Sequence, residues 1–179
     1  LFLGLDDFPD IAGLLNKEPR PKFIANSGPA VYLMDSMVPR RISTPFFRAY
    51  LKITEGCDNH CSYCMIPSIR GRLRSRSVPD LVQEAQMLES SGIKELTLIA
   101  QDLTRYGYDK GLQDGLVTLL QALLQETNIP WIRLLYLYPS RVSRALLTLM
   151  QKEVRIVPYL DIPMQHVSDP VLKAMRRQY

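Results

Sequence analysis

The sequence predicts an α/β fold in which parallel strands alternate with helices and curve into a partial (β/α) barrel. Three observations lead there. From Tyr50 onward, apolar runs of strand length alternate with longer stretches of helical period. The alternation repeats four times, which implies βαβ units and a parallel sheet. The chain has 179 residues, whereas a closed barrel of eight units needs about 250.

The elements follow in order. Residues 49–54, AYLKIT, alternate like a strand and run straight into a cysteine-rich loop. The next segment, 77–92, is punctuated as a helix. Ser77 and Asp80 have capping-box spacing, Pro79 suits the first turn and Gly92 the stop. Leu81, Val82, Ala85 and Leu88 form its apolar stripe. ELTLIA (95–100) reads as a buried strand, and Leu116, Leu119, Leu120, Leu123 and Leu124 mark the following helix. WIRLLYLY (131–138) reads as a strand in which Tyr136 and Tyr138 alternate with Leu135 and Leu137, one pair facing the barrel interior and the other the helices. Val142, Leu146, Leu149 and Met150 mark a third helix, VPYLDI (157–162) a fourth strand, and Ser168, Asp169 and Pro170 open a last helix.

Residues 1–45 differ in composition. Pro9, Pro19, Pro21, Pro29, Pro39 and Pro45 interrupt them, leaving one short helical stretch from Pro9 to Leu15. Lys17 to Pro21 and Pro39 to Pro45 read as connectors. The expected division is therefore 1–45, the tail of an earlier unit with its linker, and 46–179, the main domain. The opening LFLGLDDFPD lacks the basic start of a signal peptide, and no apolar run reaches the ~18 residues of a membrane span. A cytoplasmic protein without membrane contact is expected. The net charge of +4 fits an anionic partner or an ordinary solvated surface equally.

EGCDNHCSYC (55–64) contains all three cysteines of the chain, Cys57, Cys61 and Cys64. A chain of this length needs no metal or disulfide merely to fold, and clustered thiols in odd number fit a reducing compartment. Zinc would need His60 or His166 as a fourth ligand, and there is no second cysteine knuckle. Purely structural, buried thiols fit poorly beside Asp58, Asn59, His60 and Ser62. A [4Fe–4S] cluster, normally held by four thiolates, would here be tied through three irons, with one iron left open to a substrate.

Cys57-x₃-Cys61-x₂-Cys64, with Tyr63 before the last cysteine and a strand before the first, resembles the signature of radical S-adenosylmethionine (SAM) enzymes. That resemblance implies a SAM molecule chelated to the open iron. It also implies reductive cleavage of the sulfonium to a 5′-deoxyadenosyl radical. AYLKITEGCDNHCSYCMIPSIRGRLRSR is similar to the opening of the methylthiotransferase subfamily. AQDLTRYGYD, YLYPSR and YLDIPMQH are similar to its branch that modifies an aspartate of a small-subunit ribosomal protein. The alternative branch, acting on an adenosine of tRNA, would show Gly-Gln-Asn and Ser-His-Pro at the matching strand ends. An alternative of another class is an iron–sulfur electron-transfer or zinc-binding module.

On this resemblance, Tyr63, Ala100, Gln101, Asp102, Tyr138 and Gln165 contact the cofactor, with Gln101 and Asp102 holding the methionine amine. The cysteine loop, Gln101, Tyr138 and Gln165 are expected at one rim. An electron donor such as flavodoxin or ferredoxin is implied. So is a second [4Fe–4S] cluster in the full-length protein, carried by an N-terminal domain whose end would be residues 1–45. The chain given then reads as a fragment. Arg70, Arg72, Arg74 and Arg76 alternate, which would place them on one side of an extended segment, contacting an acidic substrate or the cofactor carboxylate, or forming a solvated basic loop. His60 is expected on the loop surface, and His166 as a hydrogen-bonded structural residue.

Overall fold

A computed structural model describes residues 3–18 and 30–177. Pro19, Pro21 and Pro29, and with them part of the first connector, lie outside the described residues. Four strands form one parallel sheet: β1 (Arg48–Lys52), β4 (Glu95–Ile99), β5 (Trp131–Leu134) and β6 (Ile156–Leu160), in the order β1-β4-β5-β6. Strands adjacent in this order follow one another around the sheet, as the βα alternation requires. A second, antiparallel pair, β2 (Thr54–Glu55) with β3 (Arg74–Ser75), was not expected from the sequence. It closes the base of the loop that contains the cysteines and α2 (Ile66–Arg70).

Between the parallel strands run α3 (Val78–Ser90), α4 (Gly115–Glu126) and α5 (Arg144–Lys152), and α6 (Asp169–Ala174) follows β6. Helix α3 packs on β1 and α4, and α5 on α4 and β6. One core joins them: Leu51, Ile53, Leu81, Leu96, Leu98, Leu119, Leu120, Leu123 and Ile132 are fully buried. Each such side chain contributes about 1.5–3 kcal/mol, so the sheet's framework is set by leucine periodicity. Ser77 caps α3 through Asp80 N, as its spacing predicts. The reciprocal half of the capping box is missing, because the Asp80 carboxylate accepts from Ser36 N at 2.7 Å and Arg76 Nε at 2.7 Å instead.

That exchange shows what residues 30–45 do. Asp6 accepts from Val31 N at 2.9 Å, Arg74 Nη2 reaches Tyr32 O at 3.2 Å, and Arg40 pairs with Glu84 at 2.8 Å. Residues 30–45 are thus laid along β3 and α3. The short helix α1 (Ile11–Leu15) forms where expected, after a 3-10 turn over Leu5–Asp10.

The predicted third strand is shorter than its apolar run. β5 stops at Leu134, and Tyr136 takes a positive φ of 65°. The alternation breaks there: Tyr136 is exposed, while Leu137 and Tyr138 are buried in succession. Tyr136 and Tyr138 therefore do not share a face. The backbone leaves the sheet so that Tyr136 O can accept Leu103 N at 2.9 Å and Leu137 N can reach Asp161 O at 2.9 Å, lacing three strand ends together.

Candidate active site at the sheet rim

The lacing gathers the loops after β1, β4, β5 and β6 around a cavity of about 320 Å³, within the ~300–1,000 Å³ of small-molecule sites. Cys57, Cys61 and Cys64 line it, together with Tyr63, Ala100, Gln101, Asp102 and Tyr138. Gln165 is the exception among the expected residues. It is exposed, has a φ of 65° and lies outside the lining. Residues not among the expected cofactor contacts also line it: Asn59, Ile66, Tyr136, Leu137, Pro163 and Arg177.

The cysteine loop is built from its base. Glu55, at the end of β2, accepts from Lys52 and from Arg70 at 2.9 Å, tying the loop's start to the end of α2. Burial raises the Glu55 carboxyl, but the hydrogen bonds from Lys52 and Arg70 outweigh it, so the group is held below its ordinary range. Asp58 accepts from Leu73 N at 3.0 Å, and Cys57 N donates to Gly71 O at 3.2 Å. Gly56 makes this closure fit: its φ is +73°, and a Cβ there would lie 2.0 Å from Arg72 O. Gly56→Ala is therefore expected to cost at least about 2 kcal/mol in backbone strain and to displace Cys57. Gly92 (φ +91°) has no heavy atom within 4 Å of an added Cβ, so Gly92→Ala controls for the positive φ alone. Thermal melts and iron uptake of the two variants compare them; wild-type uptake by Gly56→Ala would contradict the close approach.

The basic run does not act as one surface. Arg70 binds Glu55, Arg74 binds the carbonyls of Tyr32, Arg70 and Arg72, and Arg76 is buried against Asp80 and Glu84. These arginines sit in a helix end, a short strand and an ion network, so they do not form one face. Only Arg72 of the four is exposed. His60 is exposed, and His166 Nδ1 accepts from Ser168 N at 2.9 Å.

Beside the cysteine loop Asp102 orders its neighbours. Its carboxylate accepts from Asn59 Nδ2 at 2.9 Å, Arg141 Nη1 at 2.8 Å and Thr104 N at 3.1 Å. Asn59 N in turn donates to Cys57 Sγ at 3.4 Å. Burial pushes the Cys57 thiol up, and the Asn59 N–H offsets part of the rise. A cation at the sulfur is what would bring out its thiolate. Gln101, which lines the cavity, has its Oε1 buried without a hydrogen-bond partner. Among the described residues, no group of three or more His, Cys, Asp or Glu side chains is arranged to hold a metal ion. Three thiols and Gln101 lining one cavity suit a polynuclear cluster carrying a ligand with an amino group.

The profile of the Radical SAM superfamily matches residues 51–179. The chain belongs to this family. Curated relatives include the ribosomal protein uS12 methylthiotransferase RimO of Desulfotalea psychrophila, 56% identical over 100% of this chain and 41% of that protein. The RimO of Pelobacter propionicus is 50% identical over 99% of this chain and 40% of its own length. The radical SAM chain thus spans about two fifths of the curated relatives it matches. Among solved structures, the radical SAM methyltransferase TsrM of Kitasatospora setae superposes with a TM-score of 0.60 at 18% identity, over 83% of this chain and 29% of that one. The parallel sheet is therefore that of a radical SAM fold. No helix among the described residues is long and apolar enough to cross a membrane.

Proposed function

We propose that this chain is the radical SAM core of a methylthiotransferase that modifies an aspartate of ribosomal protein uS12. The observation that carries the reading is the cavity itself, lined by all three cysteines of the chain and by Gln101, whose Oε1 is buried without a hydrogen-bond partner. Cys57, Cys61 and Cys64 hold a [4Fe–4S] cluster as thiolates, and Gln101 accepts from the amino group of SAM. Tyr63, Ala100, Asp102 and Tyr138 enclose the cofactor, with Asp102 acting through Asn59 and Arg141. When bound, the cluster supplies the electron that cleaves the SAM sulfonium. The wall of Ala100, Leu137 and Tyr138 keeps water from the reacting centre.

The substrate assignment is supported by the names of the relatives at 56% and 50% identity, and by the strand-end sequences after β4, β5 and β6. Residues 1–45 are then the end of a preceding domain and its linker. In the full-length protein that domain carries a second cluster as the source of sulfur. A small acidic redox protein such as flavodoxin or ferredoxin supplies electrons, in the cytoplasm. The test is anaerobic turnover of full-length protein with SAM and dithionite, offered uS12 peptide and tRNA separately. A methylthio mass gain on the peptide aspartate is expected. Gain on tRNA alone would replace this reading with the tRNA branch, and no 5′-deoxyadenosine from either would overturn both.

A further inference from the structure

Arg177 follows α6, far from the cysteine loop in sequence, yet it is 8% exposed and lines the same cavity. Its guanidinium divides its donors. Nη2 donates to Pro163 O at 2.9 Å, and Nη1 to Tyr63 OH at 3.2 Å with Cys61 Sγ at 3.9 Å. Its Cζ lies over the Tyr138 ring, 4.6 Å from the centroid, while the Arg141 Cζ lies 4.2 Å from the same centroid. Tyr138 thus presents its ring to two guanidiniums at once. The Arg141 charge is paired with Asp102 at 2.8 Å.

Fastening the loop to α6 does not require this arginine. Ser62 N already donates to Met175 O at 3.1 Å, and Ser62 Oγ to Ala174 O at 3.1 Å. What Arg177 adds is a permanent positive charge, stripped of most water and aimed at the sulfur of one cysteine. Arginine keeps that charge at any working pH, and its planar fork is what lets one group stack, bond and face a sulfur together.

We propose that Arg177 is a positioning residue that sets the reduction potential of the cluster held at Cys57, Cys61 and Cys64. The inference rests on the functional reading above. Reduction adds one electron, and so one negative charge, to the cluster and its thiolates. A cation beside Cys61 Sγ stabilises that reduced state over the oxidised one, as hydrogen bonds and charge at cluster sulfurs do generally. Arg177 therefore raises the potential and brings a demanding reduction within reach of a protein donor. Tyr63 and Tyr138 serve it by fixing where the charge lies.

The experiment is a potentiometric titration of full-length protein, wild type, R177Q and R177K. It follows the low-temperature EPR signal that changes on adding SAM, which belongs to the cluster with the open iron. R177Q is expected to lower the equilibrium constant for one-electron reduction at least about tenfold, ~59 mV. R177K, which keeps the charge, is expected to stay within about threefold of wild type. An unchanged potential in R177Q, or a tenfold fall in R177K, overturns the proposal. If R177Q takes up no cluster, R177K decides by the same criterion. Loss of the cluster from both variants would make Arg177 a folding residue and also overturn it. A wild type with no SAM-responsive signal would instead overturn the functional reading on which this one stands.

Discussion

Alanine at Cys57, Cys61 or Cys64 is expected to leave the anaerobically reconstituted chain without its visible sulfur-to-iron charge-transfer band. The chain has no other cysteine to substitute, and three anchors are already one fewer than a cluster normally has. Wild-type chain should carry about four irons and four sulfides, and each variant close to none. Cys61 and Cys64 are only half-buried, so their loss should scarcely move the melting temperature of the metal-free protein. That separates ligand loss from unfolding. The Cys57 thiol, raised by burial, must be deprotonated to bind, so iron uptake should also be favoured by higher pH. Full iron content in all three variants, or one zinc per chain in wild type, would contradict the assignment.

The largest expected stability effect lies away from the site. Arg76 Nε lies 2.7 Å from Asp80, and Nη1 lies 2.6 Å from Glu84 and donates to Lys52 O at 3.0 Å. The Arg76 carbonyl accepts from the buried Tyr106 hydroxyl at 2.8 Å. Arg76→Leu strands Glu84 with Arg40 alone and should cost about 3 kcal/mol, the lower end for breaking a buried pair. Urea titration should show the lower midpoint at unchanged slope, and Glu84→Leu in the same chain should restore part of it. A loss below about 1 kcal/mol would mean that the network is not a stabilising unit.

The pH dependence has a definite sign. Burial raises the Asp80 carboxyl, but the bonds from Arg76 and Ser36 outweigh it, and the net shift is downward from 3.8. Its contribution is therefore complete above the unfolded value and is lost as pH falls through the folded one. In Arg76→Leu this acid-sensitive part of the melting temperature should shrink.

Much of this was legible in the sequence because it is repetitive or local. The leucine periodicity of α3, α4 and β4 fixed the layer order, and Ser77 and Gly92 marked the ends of α3. The cysteine spacing was legible because it is a pattern of one residue type. What escaped is non-local or breaks its own pattern. Tyr136 takes a positive φ, where Gly or Asn is the usual signal, so the strand seemed to run on to Tyr138. The Arg70–Arg76 run looked like one surface because alternation implies an extended chain. In fact a helix end, Gly71 (φ +71°) and a two-residue strand aim each arginine at a different partner. Arg177 and Asn59 carried no signal, because their meaning comes from residues 114 and 43 positions away.

The bonds from Ser62 to Ala174 and Met175 also order events in time. They span 112 residues, and nearly every element of the sheet lies between them. During synthesis the three thiols leave the ribosome well before the segment that closes over them. At typical elongation rates of ~5–20 residues per second, that interval is about 6 to 22 seconds. The nascent chain exposes cysteines before it has a cavity to put them in. Cluster delivery must then either wait for residues 174–177 or act on a loop still open on one side. A stalled chain ending before α6 would tell the two apart by whether it takes up iron.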